Sequence, residues 1–160
     1  MKDLSRLTYF MGIEAIRNSS RLHLRQTRYI IDLLDNVQLI GIRSYRAPYV
    51  SSSKMSKFDG EIIPDPSKYR HMIGALQYIT LIHPDTAYSV NQLCQHIQAP
   101  TFAHWTTVKC MLRCLKHTLD YGLFYKPGSF AINAYYDSDW AVDPDDRRST
   151  CGYSVLLDPI

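Results

Sequence analysis

The chain has 160 residues, 46% hydrophobic and 21% charged, which suits one soluble folded unit and excludes a pair of large domains or a wholly disordered chain. No apolar run reaches the ~20 residues of a membrane-spanning helix; the longest, residues 72–82, is interrupted by Gln77 and Thr80. Net charge is only +3, yet residues 1–60 hold ten Lys/Arg against five acids and residues 121–160 hold three against six. A basic front suits phosphate contacts and a carboxylate-rich end suits a divalent cation, although either also fits ordinary solvated surface.

The opening Met1-Lys2-Asp3-Leu4-Ser5-Arg6 lacks the apolar stretch of a secretory signal. An intracellular chain with no membrane partner and four free, reduced cysteines is expected.

In chain order, residues 8–16 and 21–25 are two β-type runs separated by the turn chemistry of Asn18-Ser19-Ser20, which reads as a hairpin. Thr27 is placed to cap a helix with Ile30, Ile31, Leu34 and Val37 on one face, ending at Gly41. Residues 43–63, with Pro48, three serines and Gly60, carry no sustained period and read as a long mobile connection. Asp65-Pro66 then starts a helix with the stripe Tyr69, Met72, Ile73, Leu76 and Ile79. Pro84 opens a second helix with Ala87, Val90, Cys94 and Ile97 on one face, closed by Ala99-Pro100. A third runs from about Phe102 to Thr118 on Val108, Leu112, Leu115 and Leu119, with Lys109, Arg113 and Lys116 on the neighbouring face. From Gly122 onward the period changes to two, giving strands around residues 122–125, 130–136 and 152–157. Helices in the middle and antiparallel strands at both ends define an α+β chain.

No Gly-rich phosphate loop, nucleophile elbow or paired metal-binding histidines on a helix occurs. Asp137-Ser138-Asp139 closes an apolar strand, and positions two apart share a strand face, so both carboxylates are expected to point the same way with hard oxygens suited to magnesium. The plainer reading is an Asp-rich turn. Cys110, Cys114 and His117 share a helical face. Structural zinc sites take ligands in close pairs on turns, so even with Cys94, His96 or His104 added, unliganded side chains are expected.

Several motifs in consistent order carry a resemblance: Lys2-Asp3-Leu4, Tyr9-Phe10-Met11-Gly12-Ile13-Glu14, Tyr69-Arg70, Gly74-Ala75-Leu76-Gln77-Tyr78, Pro84-Asp85, His104-Trp105, Asp137-Ser138-Asp139-Trp140-Ala141 and Asp146-Arg147-Arg148-Ser149-Thr150-Cys151-Gly152-Tyr153. Over nearly its whole length the chain resembles the copia-type retrotransposon polyprotein, at the C-terminal part of the reverse transcriptase and the start of the ribonuclease H domain. The resemblance implies a primer-grip-like hairpin over residues 1–26, a thumb-like helical region over 27–120 with the loop 43–63, and the opening strands of a truncated ribonuclease H-like sheet over 121–160.

By that resemblance, Phe10-Met11-Gly12 would hold the primer end, with Met11 and Gly12 at the contact. Arg70, Gly74 and Tyr78, at i, i+4 and i+8 of one helix, would track the minor groove of the template–primer, and Lys109 and Arg113 are further expected nucleic-acid-binding residues. Asp137 would be the first metal-binding carboxylate of ribonuclease H, with Asp139 a weaker second. Magnesium is the implied cofactor of the intact parent enzyme, and two ions need about four carboxylates. The family's other carboxylates lie beyond Ile160 and its Tyr-x-Asp-Asp turn lies upstream. The expectation is therefore a binding remnant without catalysis, its partners an RNA–DNA hybrid or DNA duplex and the missing remainder of the polyprotein.

Departures accompany the resemblance. His83 stands where the family has arginine, Cys110, Cys114 and His117 occupy usual basic, aromatic and glycine positions, and Ser5 replaces a glycine. A rival expectation is a non-catalytic structural or protein-interaction module of retrotransposon origin.

Overall fold

The computed structural model describes residues 7–46, 55–141 and 143–159. The first β run is not one strand. It folds back at Met11-Gly12, where φ is 48° and 82°, the positive pair that a two-residue type I′ hairpin turn requires. Strands β1 (Tyr9–Phe10) and β2 (Ile13–Arg17) result, and β3 (Leu22–Arg25) pairs antiparallel with β2. Asn18 makes the second turn, its carboxamide oxygen accepting the N–H groups of Ser20 and Arg21 at 3.1 and 2.8 Å.

The sheet acquires a fourth strand from far along the chain, β4 (Leu123–Tyr125), which pairs with β3 to give the order β1-β2-β3-β4. The boundary expected between residues 120 and 121 thus does not separate the sheets. Gly122 makes this docking possible, because a Cβ at that position would lie 2.0 Å from the Leu24 carbonyl oxygen.

Helix α1 (Thr27–Asn36) buries Ile30, Leu33 and Leu34, whereas Ile31 is exposed. Thr27 is not its cap: Gln26 holds that position, and the Thr27 hydroxyl donates to Leu119 O at 2.8 Å. The helix stops before Gly41. Gln38 takes positive φ (57°), and N–H groups of Gln38 and Leu39 return to the carbonyls of Asp35 and Leu34, the Schellman pattern, with Leu39 buried behind it.

Helix α2 (Ser67–Ile79) begins where Asp65 accepts the Ser67 N–H at 2.9 Å, one residue later than expected. Its whole predicted stripe is buried. A 3₁₀ turn, Pro84–Thr86, leads into α3 (Ala87–Gln95), and α4 (Phe102–His117) completes the helices. Their apolar faces meet α1 in one core built around Ile30, Ile73, Leu76, Leu93, Met111 and Leu112. No helix among the described residues is long and apolar enough to cross a membrane.

The connection 43–63 is pinned on both sides of residues 47–54, which lie outside the described residues. Tyr45 N–H donates to Arg113 O, while Ile62 bridges to Thr101 and Ile63 N–H donates to Pro100 O. The chain ends in a separate two-stranded antiparallel sheet, β5 (Phe130–Ser138) and β6 (Cys151–Pro159). Its connecting loop is clasped to the body by Asp145, which accepts the Ser56 hydroxyl at 2.6 Å and the Lys57 N–H at 2.7 Å.

Candidate nucleic-acid interface

The tight turn at Met11-Gly12 leaves Phe10 and Met11 59% and 69% exposed and is braced from behind. Tyr78 on α2 donates its hydroxyl to the Met11 carbonyl, and Tyr29 on α1 packs edge-on to Tyr78 with centroids 5.2 Å apart. A Cβ at Gly12 would lie 3.1 Å from Tyr29 Cδ2, so glycine serves both the positive φ and this close approach. Glu14 fixes the strand to α1, bonding Arg25 Nε at 2.9 Å and the Arg28 N–H at 3.0 Å. The structure thus brings the Met11-Gly12 turn of the hairpin against Tyr78 of α2.

Along α2 the same row continues through Gly74 to Arg70, both exposed. A side chain built at Gly74 would meet no heavy atom within 4 Å; the glycine is not a packing point between helices. Arg70, His71, Gly74 and Ala75 line one wall of an open groove of about 510 Å³, with Tyr29, Asp32 and Asn36 of α1 on the other. Arg70 Nε donates to Ile97 O at 3.3 Å, which steadies its guanidinium at the groove's rim. The site is an exposed apolar tip beside a groove that carries one cation, Arg70, one carboxylate, Asp32, and an unobstructed backbone at Gly74. It can position a polymer by shape and by contact with these polar side chains.

Helix α4 contributes less than its basic row suggests. Arg113 is half-buried, its Nε donating to Arg43 O at 2.9 Å and its guanidinium over the Tyr45 ring at 5.7 Å. Lys116 donates to the carbonyls of Ile40 and Ile42. Both staple residues 40–46 to the helix. Lys109 is exposed, and neither it nor Arg113 lines the groove. His83 is 2% exposed, and burial lowers its pKa, so it presents no cation at the surface.

The two carboxylates do not share a strand face. Asp137 is exposed near the end of β5 and accepts the N–H of Ser138 at 2.9 Å. Asp139 lies past the strand, its carboxylate accepting the Thr150 N–H at 2.7 Å to close the turn. Among the described residues no three His, Cys, Asp or Glu side chains come together as a metal-binding group. This donor set does not fit the two-magnesium arrangement. Nor do the cysteines converge on a metal: Cys114 donates to Arg46 O at 3.8 Å, and Cys94 accepts from Gln77 at 3.2 Å.

A buried histidine pair escaped sequence reasoning. His104 closes a reciprocal cap at the start of α4: its N–H reaches Thr101 Oγ1 at 3.4 Å, and its Nδ1 accepts the Thr101 N–H at 3.0 Å. Nε2 therefore carries the proton and donates to Ser56 O at 3.2 Å. His96 stacks on this ring at 4.0 Å. Burial is the main cause lowering both pKa values, and His96 lowers that of His104 further. The signal was Thr101-x-x-His104, a capping box with imidazole in place of the usual Glu or Gln.

No family model and no solved structure matches the chain. Curated relatives do. It is 42% identical over 158 residues to the retrovirus-related Pol polyprotein from transposon RE2 of Arabidopsis thaliana, and 43% identical over 158 residues to that from transposon RE1 of the same plant. Each match covers 98% of this chain and 11% of the polyprotein. An uncharacterized mitochondrial protein of Arabidopsis thaliana is 38% identical over 162 residues, 98% of this chain and 65% of that protein. The chain belongs to the retrovirus-related Pol polyproteins of copia-type transposons. It corresponds to a small part of their length, 11% in the two named here.

Proposed function

We propose that this segment is a template–primer-binding piece of a retrotransposon reverse transcriptase, continuing into the first strands of ribonuclease H, and that it supplies positioning rather than catalysis. The observation that carries the reading is that half-buried Tyr78, bonded to the carbonyl of Met11 in the exposed Phe10-Met11 tip, stands on α2 in one i, i+4 row with the exposed Gly74 and Arg70. A duplex laid along α2 would meet backbone at Gly74, charge at Arg70 and the hairpin tip at its end. Binding to an RNA–DNA hybrid, measured at two salt concentrations, tests it. Affinity should fall with salt as phosphate contacts release counterions, and both Gly74→Leu and Arg70→Gln should weaken it while the fold is kept. No salt-sensitive binding of the parent chain at low salt defeats the proposal.

The protein-interaction reading draws on a different observation, the exposed apolar face of β5–β6.

A further inference from the structure

Strands β5 and β6 pair only with each other among the described residues. Their register sets Ile132 opposite Leu157, Ala134 opposite Val155 and Tyr136 opposite Tyr153. Opposed residues and residues two apart along a strand share a face. One face of the hairpin is therefore made of these six uncharged side chains, while the reverse face mixes Asn133, Asp137 and Ser154 with Tyr135 and Leu156. On the apolar face exposure is 71% at Ile132, 73% at Tyr136, 85% at Tyr153 and 59% at both Val155 and Leu157.

We propose that this face is the contact between two copies of the chain, their hairpins stacked about a two-fold axis near the Ala134–Val155 pair. The area is sufficient. With aromatic residues presenting about 150–250 Å² each and the aliphatic ones less, the face offers roughly 700 Å² per chain, so two copies bury about 1,400 Å², within the range of specific interfaces. The relief of the face is self-complementary, as a two-fold contact requires. It is tall at Tyr136 and Tyr153, low at Ala134 and intermediate at Ile132 and Leu157. In an antiparallel stack the tyrosines of one copy lie over the Ile132–Leu157 pair of the other. Burial leaves the Tyr136 hydroxyl satisfied, since it donates to Cys151 Sγ at 3.3 Å. A two-stranded hairpin is marginal alone in water, so the stack also holds its strands.

Sedimentation equilibrium of the 160-residue chain at micromolar concentrations tests the proposal. A monomer–dimer equilibrium is expected, weakened at least about tenfold by Val155→Lys at the centre of the face and left unchanged by Tyr135→Lys on the reverse face. Circular dichroism of the helices checks that each variant is folded, and Val155→Thr, which keeps strand propensity, should give a smaller weakening. A parent chain that stays monomeric overturns the proposal and leaves the face to a further segment of a longer polyprotein. Open-ended association, or equal effects of charge on the two faces, overturns it as well.

Discussion

Tyr78 donates its hydroxyl to the carbonyl of Met11, a contact across 67 residues of sequence that ties the first hairpin's tip to the helix carrying Gly74 and Arg70. Tyr78→Phe keeps the ring against Tyr29 and removes only the donor. A loss of about 1 kcal/mol is expected in a thermal melt, the ordinary net worth of one hydrogen bond. Amide exchange should quicken in residues 10–13, and an unchanged rate there would show that Tyr78 does not hold the turn.

Two glycines should respond oppositely to alanine. Gly122→Ala drives a methyl group into the Leu24 carbonyl oxygen, so β4 must separate from β3, at about 1–3 kcal/mol of stability. Solvent exchange across Leu22–Arg25 should rise with it. Equal stability of variant and parent would contradict the close approach.

Gly74→Ala enters open space in mid-helix. Removing the glycine's backbone freedom should raise stability by about 0.5–1 kcal/mol, or about 1–4 °C in melting temperature for a chain of this size. A lower melting temperature would mean that Gly74 packs against something after all.

Stability should decline on mild acidification. In the folded state the pKa values of His23, His83, His96 and His104 are all lowered, chiefly by burial, against an ordinary value of about 6.5. The unfolded chain thus takes up protons first as pH falls, and the contribution is complete above about 6.5 and lost as pH drops through the lowered folded-state values. Protonating His104 also ends its acceptance of the Thr101 N–H. Asp59, Asp143 and Asp145 face the pair and oppose the shift at His96, which narrows the window. Urea melts at pH 7.5 and 5 should differ in midpoint, and His104→Gln should reduce the difference.

Arg113 and Lys109 are neighbours on α4 with different duties. Arg113→Ala removes the bond to Arg43 O and the stacking on Tyr45, so trypsin should cleave after Arg43 and Arg46 faster than in the parent. Lys109→Ala should leave that rate unchanged. Similar rates in all three proteins would show that Arg113 does not retain the segment.

What the sequence determined by itself is local. The spacing of Tyr69, Met72, Ile73, Leu76 and Ile79 set the buried face of α2, because a 3.6-residue period places those side chains on one side of any helix. The motif order was enough to reach the family. Stop signals were less legible: α1 ends at Asn36, well short of Gly41, because a Schellman turn through Gln38 with buried Leu39 outweighs Gln38's cost in positive φ. Only the tertiary structure decided which faces meet. β4 joins β3, Tyr78 reaches Met11, and Ser56 links His104 to Asp145. Local period says that a face is buried and is silent about its partner, since register and contact between distant segments depend on loop closure and packing that no short window contains. The same limit explains Asp139. Its type and spacing suggested a ligand, and the turn back to Thr150 made it a backbone acceptor.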